Sequence, residues 1–387
     1  MDFAPGSEQT PAEFFAAVHG AALEAERAAG PIVVPLEVAG LRIDLAFAGT
    51  RLLVEMMPAL RHLVSESGAS AEATFHLWDG HTTGVRMPPP CSDVGFTDGS
   101  DLPGFDSTLY RTAFDRLERS VSVMDLQSGE AVYWVRRADH LPTLSRAAPL
   151  RTLFHWALQR TGGQLLDAAA IGGPSGAVLI TDEGGVGKST TALAGLVHGL
   201  CYAADGHVAV RLDPVPTVYS LFSTAKLDAQ DIGKFPMLAS HVNPLQLLDG
   251  AKAVMRLFPA FESQIMRAMP LRAILAPRIE PCDHTRIEPT ERTTLRREAA
   301  FPMLAQPPYA GPQTQAFIDS MIDRVPGYRI ALGSKPACVA GTIREFLARD
   351  AAGTREGAAQ PVAAGVVCRP AQRASKLATS PVAEADP

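Results

Sequence analysis

The stretch Gly176-Ala-Val-Leu-Ile-Thr181, followed by Asp182-Glu-Gly-Gly-Val-Gly-Lys-Ser-Thr190, decides the reading of this chain. The first part is a short β-rich run. Beyond the second, Leu193, Leu196, Val197 and Leu200 recur at helical spacing. Strand, glycine loop and helix therefore come in the order that a P-loop requires. Gly184, Gly185 and Gly187, with Val186 between them, let backbone N–H groups turn inward around phosphate oxygens, and a helix N-terminus adds partial positive charge. Lys188 is placed to reach the β- and γ-phosphates, Ser189 to ligate Mg²⁺, and Thr190 to close the cradle. One position departs from the pattern GxxxxGK[ST], whose first glycine is replaced by Asp182. Aspartate tolerates a left-handed backbone better than most residues, but its charge repels a polyphosphate unless the side chain points away.

Downstream, Leu200-Cys-Tyr-Ala-Ala-Asp205 leads through Gly206 to His207-Val-Ala-Val-Arg-Leu212, where Val208, Val210 and Leu212 alternate as in a strand. Asp205 is thus expected at a strand end or tight turn, from which a carboxylate can face a bound nucleotide. There it could take a proton from an acceptor hydroxyl or hold Mg²⁺. The competing reading is a simple Asp-Gly hairpin. Lys226 and Arg278 are candidates to neutralise phosphoryl charge, against the bland alternative of solvated surface residues. His207 reads as a strand-face residue, and Trp134, Phe154 and Trp156 as packing.

The remaining chain supplies the frame. Its 387 residues, 47% hydrophobic and 20% charged, suffice for one large or two ordinary domains. A net charge of -6 provides no global basic field for nucleic acid or an anionic membrane. No segment is apolar and uncharged for long enough to span a bilayer, and the N-terminus lacks signal-peptide features, so a cytoplasmic location is expected. The five cysteines are scattered, without CxxC or paired Cys/His spacing, which fits a reducing compartment and argues against a metal cluster. Residues 1 to about 30 read as an amphipathic helix entered through Thr10-Pro11, anchored by Phe14, Phe15, Val18 and Leu23, or as a loose terminus. β-Rich sequence at 32–47, a helix near 50–64, and strands at 73–78 and 131–135 outline a small α+β domain over 1–142, with a loop at 79–107. A helix over 143–160 opens a second, α/β domain that extends to 350. Residues 351–387, rich in Ala, Gly, Pro and Ser, read as a disordered tail.

The segments ITDEGGVGKSTTALAGL (180–196), CYAADGHVAVRLD (201–213) and PTVYSLFSTAKL (216–227) resemble the kinase domain of bacterial HPr kinase/phosphorylase. They resemble more closely the HPr-kinase-like proteins associated with lasso-peptide maturation. Weaker likeness runs through HLWDG (76–80), EAVYWVRRADHLP (130–142) and APLRTLFHWAL (148–158). The resemblance implies an α/β fold with a P-loop, HPr-kinase-like C-terminal domain and a smaller N-terminal domain. It implies an ATP- and Mg²⁺-dependent serine kinase whose partner is a ribosomally made precursor peptide. Position by position, Lys188 and Ser189 match the family's phosphate and magnesium residues. Asp205 matches the first of a usual Asp-Asp pair and becomes the base and metal carboxylate, while Gly206 replaces its neighbour. Asp167 stands where the family has a histidine and could act as a substitute carboxylate. HPr kinases assemble through their kinase domains, which leaves a homo-oligomer open. Two alternatives stand beside the peptide kinase: a degenerate nucleotide- or peptide-binding scaffold, and a kinase of HPr or of a metabolite.

Overall fold

The computed structural model describes residues 10–66, 68, 70–88, 107–181, 187–241, 252–280, 284–297 and 311–355. The chain opens with α1 (Pro11–Ala29), whose start is fixed locally. Thr10 accepts from the Glu13 amide while the Glu13 carboxylate accepts from the Thr10 amide, a reciprocal cap with Pro11 in the first turn. Phe14, Phe15 and Val18 are buried as expected, but Leu23 is 39% exposed and is not an anchor. β1 (Pro31–Val38) and β2 (Leu41–Ala48) form a hairpin across Ala39-Gly40. Both turn residues have positive φ, matching the right-handed twist of the strands.

Next come α2 (Arg51–Leu60), β3 (Ala73–Asp79), the short α3 (Gly80–Thr83), β4 (Tyr110–Asp115), β5 (Ser120–Asp125) and β6 (Glu130–Val135). The six strands form one mixed sheet in the order β1-β2-β3-β6-β5-β4. β3 runs parallel to both β2 and β6. The sequence pattern does not announce β4 and β5. Their alternation is weak, with Ser120 and Ser122 buried beside Val121 and Val123, so pairing with β6 rather than local hydrophobicity makes them strands. On one face, Phe14 and Val18 of α1 pack with Trp78, Val121 and Val132. On the other lie α2 and the helices that follow the sheet.

Those helices are α4 (Thr143–Ala147) and α5 (Arg151–Arg160), where the helical spacing predicted one. Pro149 explains the break: the ring disfavours helical backbone at Ala148, and Leu150 then enters α5 with φ 57°. Phe154 and Trp156 of α5 are fully buried. They share a core with Phe75 of the first sheet and with Leu165, Ala209 and Phe222 from beyond α5.

The second sheet is built from β7 (Gly163–Leu166), β8 (Ala169–Gly173), β9 (Gly176–Ile180), β10 (Cys201–Asp205), β11 (Val208–Arg211), β12 (Thr217–Tyr219), β15 (Ala268–Ile279), β16 (Arg286–Pro289) and β17 (Gly327–Leu332). A separate pair consists of β13 (Thr224–Leu227) and β14 (Ala253–Arg256). β15 is the spine, running parallel to β9 and β17 and antiparallel, at its start, to β12. α6 (Lys188–Val197) and α9 (Pro336–Arg355) contribute to the core on one face of this sheet. α8 (Pro312–Arg324) covers another cluster, to which Leu295 of α7, the helical segment at 292–297, also belongs. This is the α/β architecture expected. α9 continues through Arg355, into the segment read as a tail, whereas 356–387 lie outside the described residues. Among the described residues no helix is long and apolar enough to cross a membrane.

Asp79, in the HLWDG segment, has a structural task. It is 2% exposed, and its carboxylate accepts from the amides of His81 (2.7 Å), Thr82 (3.1 Å) and Ala138 (2.8 Å) and from the Thr82 hydroxyl. It therefore caps α3 and fastens the chain leaving β6. Asp79→Ala leaves these donors unmet and should cost about 2 kcal/mol or more in chemical denaturation; a loss below about 0.5 kcal/mol would contradict this role.

Candidate active site

β9 is buried along its whole length between β8 and β15. It carries the chain to Thr181, and the chain re-enters the described structure at Gly187, immediately before α6. Gly187 has φ 109°, a backbone conformation that requires glycine, and a Cβ there would also press on the tip of the Leu332 side chain at 2.8 Å. The first intrahelical bond runs from the Thr191 amide to the Gly187 carbonyl. The amides of Lys188, Ser189 and Thr190 therefore precede the helical ladder, at the positive end of the helix dipole. These three residues and Gly187 line a cleft of about 480 Å³. Asp182, Gly184, Gly185 and Val186 lie outside the described residues.

Two carboxylates meet this helix start, and strand pairing explains why. β8 and β10 pair antiparallel with Asp205 opposite Ala169, and the Gly206 amide donates to the Ala168 carbonyl. The end of β10 is thereby held against the β7–β8 turn, which carries Asp167. Lys188 Nζ donates to Asp167 Oδ1 at 2.7 Å, with both side chains mostly buried. Ser189 Oγ donates to Asp205 Oδ1 at 2.8 Å, and the Lys226 amide donates to Asp205 Oδ2 at 3.0 Å. Lys188, Ser189, Asp205 and Asp167, singled out from sequence, thus converge on one cleft.

Burial dominates the electrostatics. It raises the Asp205 pKa above the ordinary carboxylate value, against the opposing bonds from the Lys226 amide and the Ser189 hydroxyl. The Lys226 ammonium is pushed down by burial, opposed by the nearby charge of Asp205. His207 is also pushed down, first by burial and then by Lys226. His207 is a buried residue of the cleft between β10 and β11, with its ring edge-on to Phe222. The Asp-Gly hairpin does not form: β10 pairs with β8, while β11 pairs with β7 and β12. Gly206 has φ 90°, which explains a glycine where a second aspartate is usual in the family that the sequence resembles.

Of the two supplementary cations, Lys226 lines the cleft, whereas Arg278 is exposed near the end of β15 and does not line it. Sequence reasoning missed Arg151, Lys252, Asp228 and Asp231. It also missed Asp115, at the end of β4, and Leu117, in the β4–β5 turn, which line the same cleft. Arg151 begins α5, and its guanidinium lies 3.5 Å from the Asp115 carboxylate. The resembling segment 148–158 contains Arg151, but its pattern there advertises helix packing rather than a site.

No protein-family model matches this chain, and no curated protein matches it in sequence. Among solved structures, the Hpr(Ser) kinase/phosphatase from Coxiella burnetii aligns at 10% identity and a TM-score of 0.30, over 50% of this chain and 96% of that one. Values this low say nothing about chemistry, and the site stands on its own geometry.

The left-handed turn at Gly206 yields a direct test. Gly206→Asp places a second carboxylate beside Asp205 but strains the backbone, at a cost of about 1 kcal/mol. The variant should be less stable to denaturant than the wild type; equal or greater stability would contradict the positive-φ explanation.

Proposed function

We propose that the cleft binds a Mg²⁺–nucleotide and transfers its terminal phosphoryl group to an alcohol. The observation carrying this reading is the convergence of Lys188 and Ser189, in the first turn of α6, with Asp167 and Asp205. The donor set suits the metal complex better than a bare polyphosphate. Lys188, Lys226, Lys252 and Arg151 offer positive charge, while five carboxylates in the same lining would repel an unneutralised anion. Hydroxyl and carboxylate oxygens, as on Ser189 and Asp205, are the hard ligands Mg²⁺ takes. When bound, ATP supplies the phosphoryl group and Mg²⁺ offsets the charge on its oxygens.

The chain's own residues divide the remaining work. The α6 amides and the Lys188 ammonium hold and neutralise phosphate oxygens. Both Asp205 oxygens are already engaged by Ser189 and the Lys226 amide, which suits Asp205 to the metal side. Asp167 is then the better-placed base for the acceptor hydroxyl, a role that the sequence reading gave first to Asp205. Its ion pair also restrains Lys188 until phosphate oxygens compete for the ammonium.

For the acceptor we propose a serine of a ribosomally made precursor peptide. The support is the likeness of 180–196, 201–213 and 216–227 to the lasso-associated kinases. Leu117 and Leu144, 84% and 46% exposed in the cleft lining, also offer apolar contacts to an extended chain. On this reading the region N-terminal to α4 recruits the peptide.

The test is mass spectrometry of a serine-containing precursor peptide of the lasso-associated class, after incubation with the protein, Mg²⁺ and ATP. A phosphate on serine is expected. It should be absent with Lys188→Ala and formed at least about a hundredfold more slowly with Asp167→Asn. An unmodified peptide would overturn the acceptor assignment, and an Asp167→Asn rate equal to wild type would overturn the base assignment.

A further inference from the structure

A second constellation lies away from the cleft, on the first sheet. His19 projects from α1, His76 from β3 and Glu130 from the start of β6. Their ligand atoms form a triangle: His76 Nε2 to Glu130 Oε2 is 3.0 Å, His19 Nε2 to His76 Nε2 is 3.4 Å, and His19 Nε2 to Glu130 Oε2 is 3.9 Å. The point equidistant from these corners lies about 2.0 Å from each, the length of a Zn–N or Zn–O bond. The side chains of His19 and Glu130 are 28% and 36% exposed, so an ion could enter from solvent.

The surroundings are those of ligands held in place. His76 Nδ1 donates to Glu26 Oε1 at 2.6 Å. Glu26 lies two turns after His19 on the same face of α1. A carboxylate on the far nitrogen of a histidine fixes its tautomer and ring orientation, as around protein-bound zinc. In the metal-free protein a proton on His76 Nε2, shared with the Glu130 carboxylate, fills this place. A divalent ion that displaces it meets a carboxylate oxygen and two imidazole nitrogens already gathered at bonding distance. The ring of Phe15 stacks on His19, with centroids 5.7 Å apart and planes 8° from parallel, and so steadies the second imidazole. Two imidazoles and one carboxylate favour zinc and its neighbours over Mg²⁺ or Ca²⁺.

We propose that His19, His76 and Glu130 bind one divalent transition-metal ion, Zn²⁺ in the first instance, with Glu26 positioning His76 and a fourth coordination place open to solvent. The ion clasps α1 to β3 and β6. None of the four residues lines the cleft, so the assignment does not depend on the nucleotide chemistry.

The test uses the full, untagged chain stripped with chelator and titrated with Co²⁺, whose visible d–d absorption reports an N/O site, and then with Zn²⁺ in competition. One ion per chain is expected, displaced by Zn²⁺ and not by excess Mg²⁺. His19→Ala and Glu130→Gln, at partly exposed positions, should each abolish the absorption while leaving the circular dichroism of the metal-free protein unchanged. Glu26→Gln retains all three ligands and should weaken binding about tenfold or more. A chain without the Co²⁺ signature, or one whose signature survives in both His19→Ala and Glu130→Gln, would overturn the proposal.

Discussion

A single buried carboxylate organises the cleft. Asp205 ends β10 with only 6% of its surface exposed, and its oxygens are taken by the Ser189 hydroxyl and the Lys226 amide. Burying such a group is costly unless its acceptors are filled, so three segments distant in sequence must meet there. They are the end of β10, the first turn of α6 and the strand β13. The Gly206 amide adds a fourth by anchoring the β7–β8 turn, and with it Asp167. Lys188, Ser189, Lys226 and Asp167 all take their places relative to this carboxylate. Burial raises its pKa against the donors that hold it, and a bound cation would favour its charged form.

The rest of the architecture serves this meeting point. β9, buried along its length, pairs parallel with β15, and α6 begins beyond the end of β9, the place where α/β sheets present ligands to helix N-termini. α5 carries Phe154 and Trp156 into a core shared by the first sheet and by β7 and β11. Its first residue, Arg151, faces Asp115 at the end of β4, so the far edge of the first sheet contributes to the cleft wall. An acceptor approaching the phosphates would pass these residues. Asp79 and the proposed His19/His76/Glu130 clasp each act on β3 of that sheet, one at its C-terminal end and the other within it.

What the sequence made legible was local. The strand, glycine loop and helix around Lys188 lie within one short stretch, and Asp205 follows soon after in an alternating pattern. These residues are found where that reading puts them, as far as the described residues extend. Asp167 came from resemblance, and its 2.7 Å contact with Lys188 depends on the β8–β10 pairing, which no periodicity encodes. Arg151 and Asp115 were invisible because their segments read as packing and loop. β4 and β5 were missed because buried Ser120 and Ser122 blur their alternation. The helix expected over 143–160 ignored Pro149, which divides it into α4 and α5. His19, His76 and Glu130 carry no spacing signal, because a helix and two separate strands bring them together.

The most direct measurement of the central claim is calorimetric titration of the whole chain with ATP, with and without Mg²⁺, alongside Asp205→Asn. The account predicts binding that requires Mg²⁺ in the wild type and loses that requirement, together with most of its affinity, when Asp205 cannot serve the metal. Absence of nucleotide binding, or binding equally tight without Mg²⁺ and in Asp205→Asn, would contradict it.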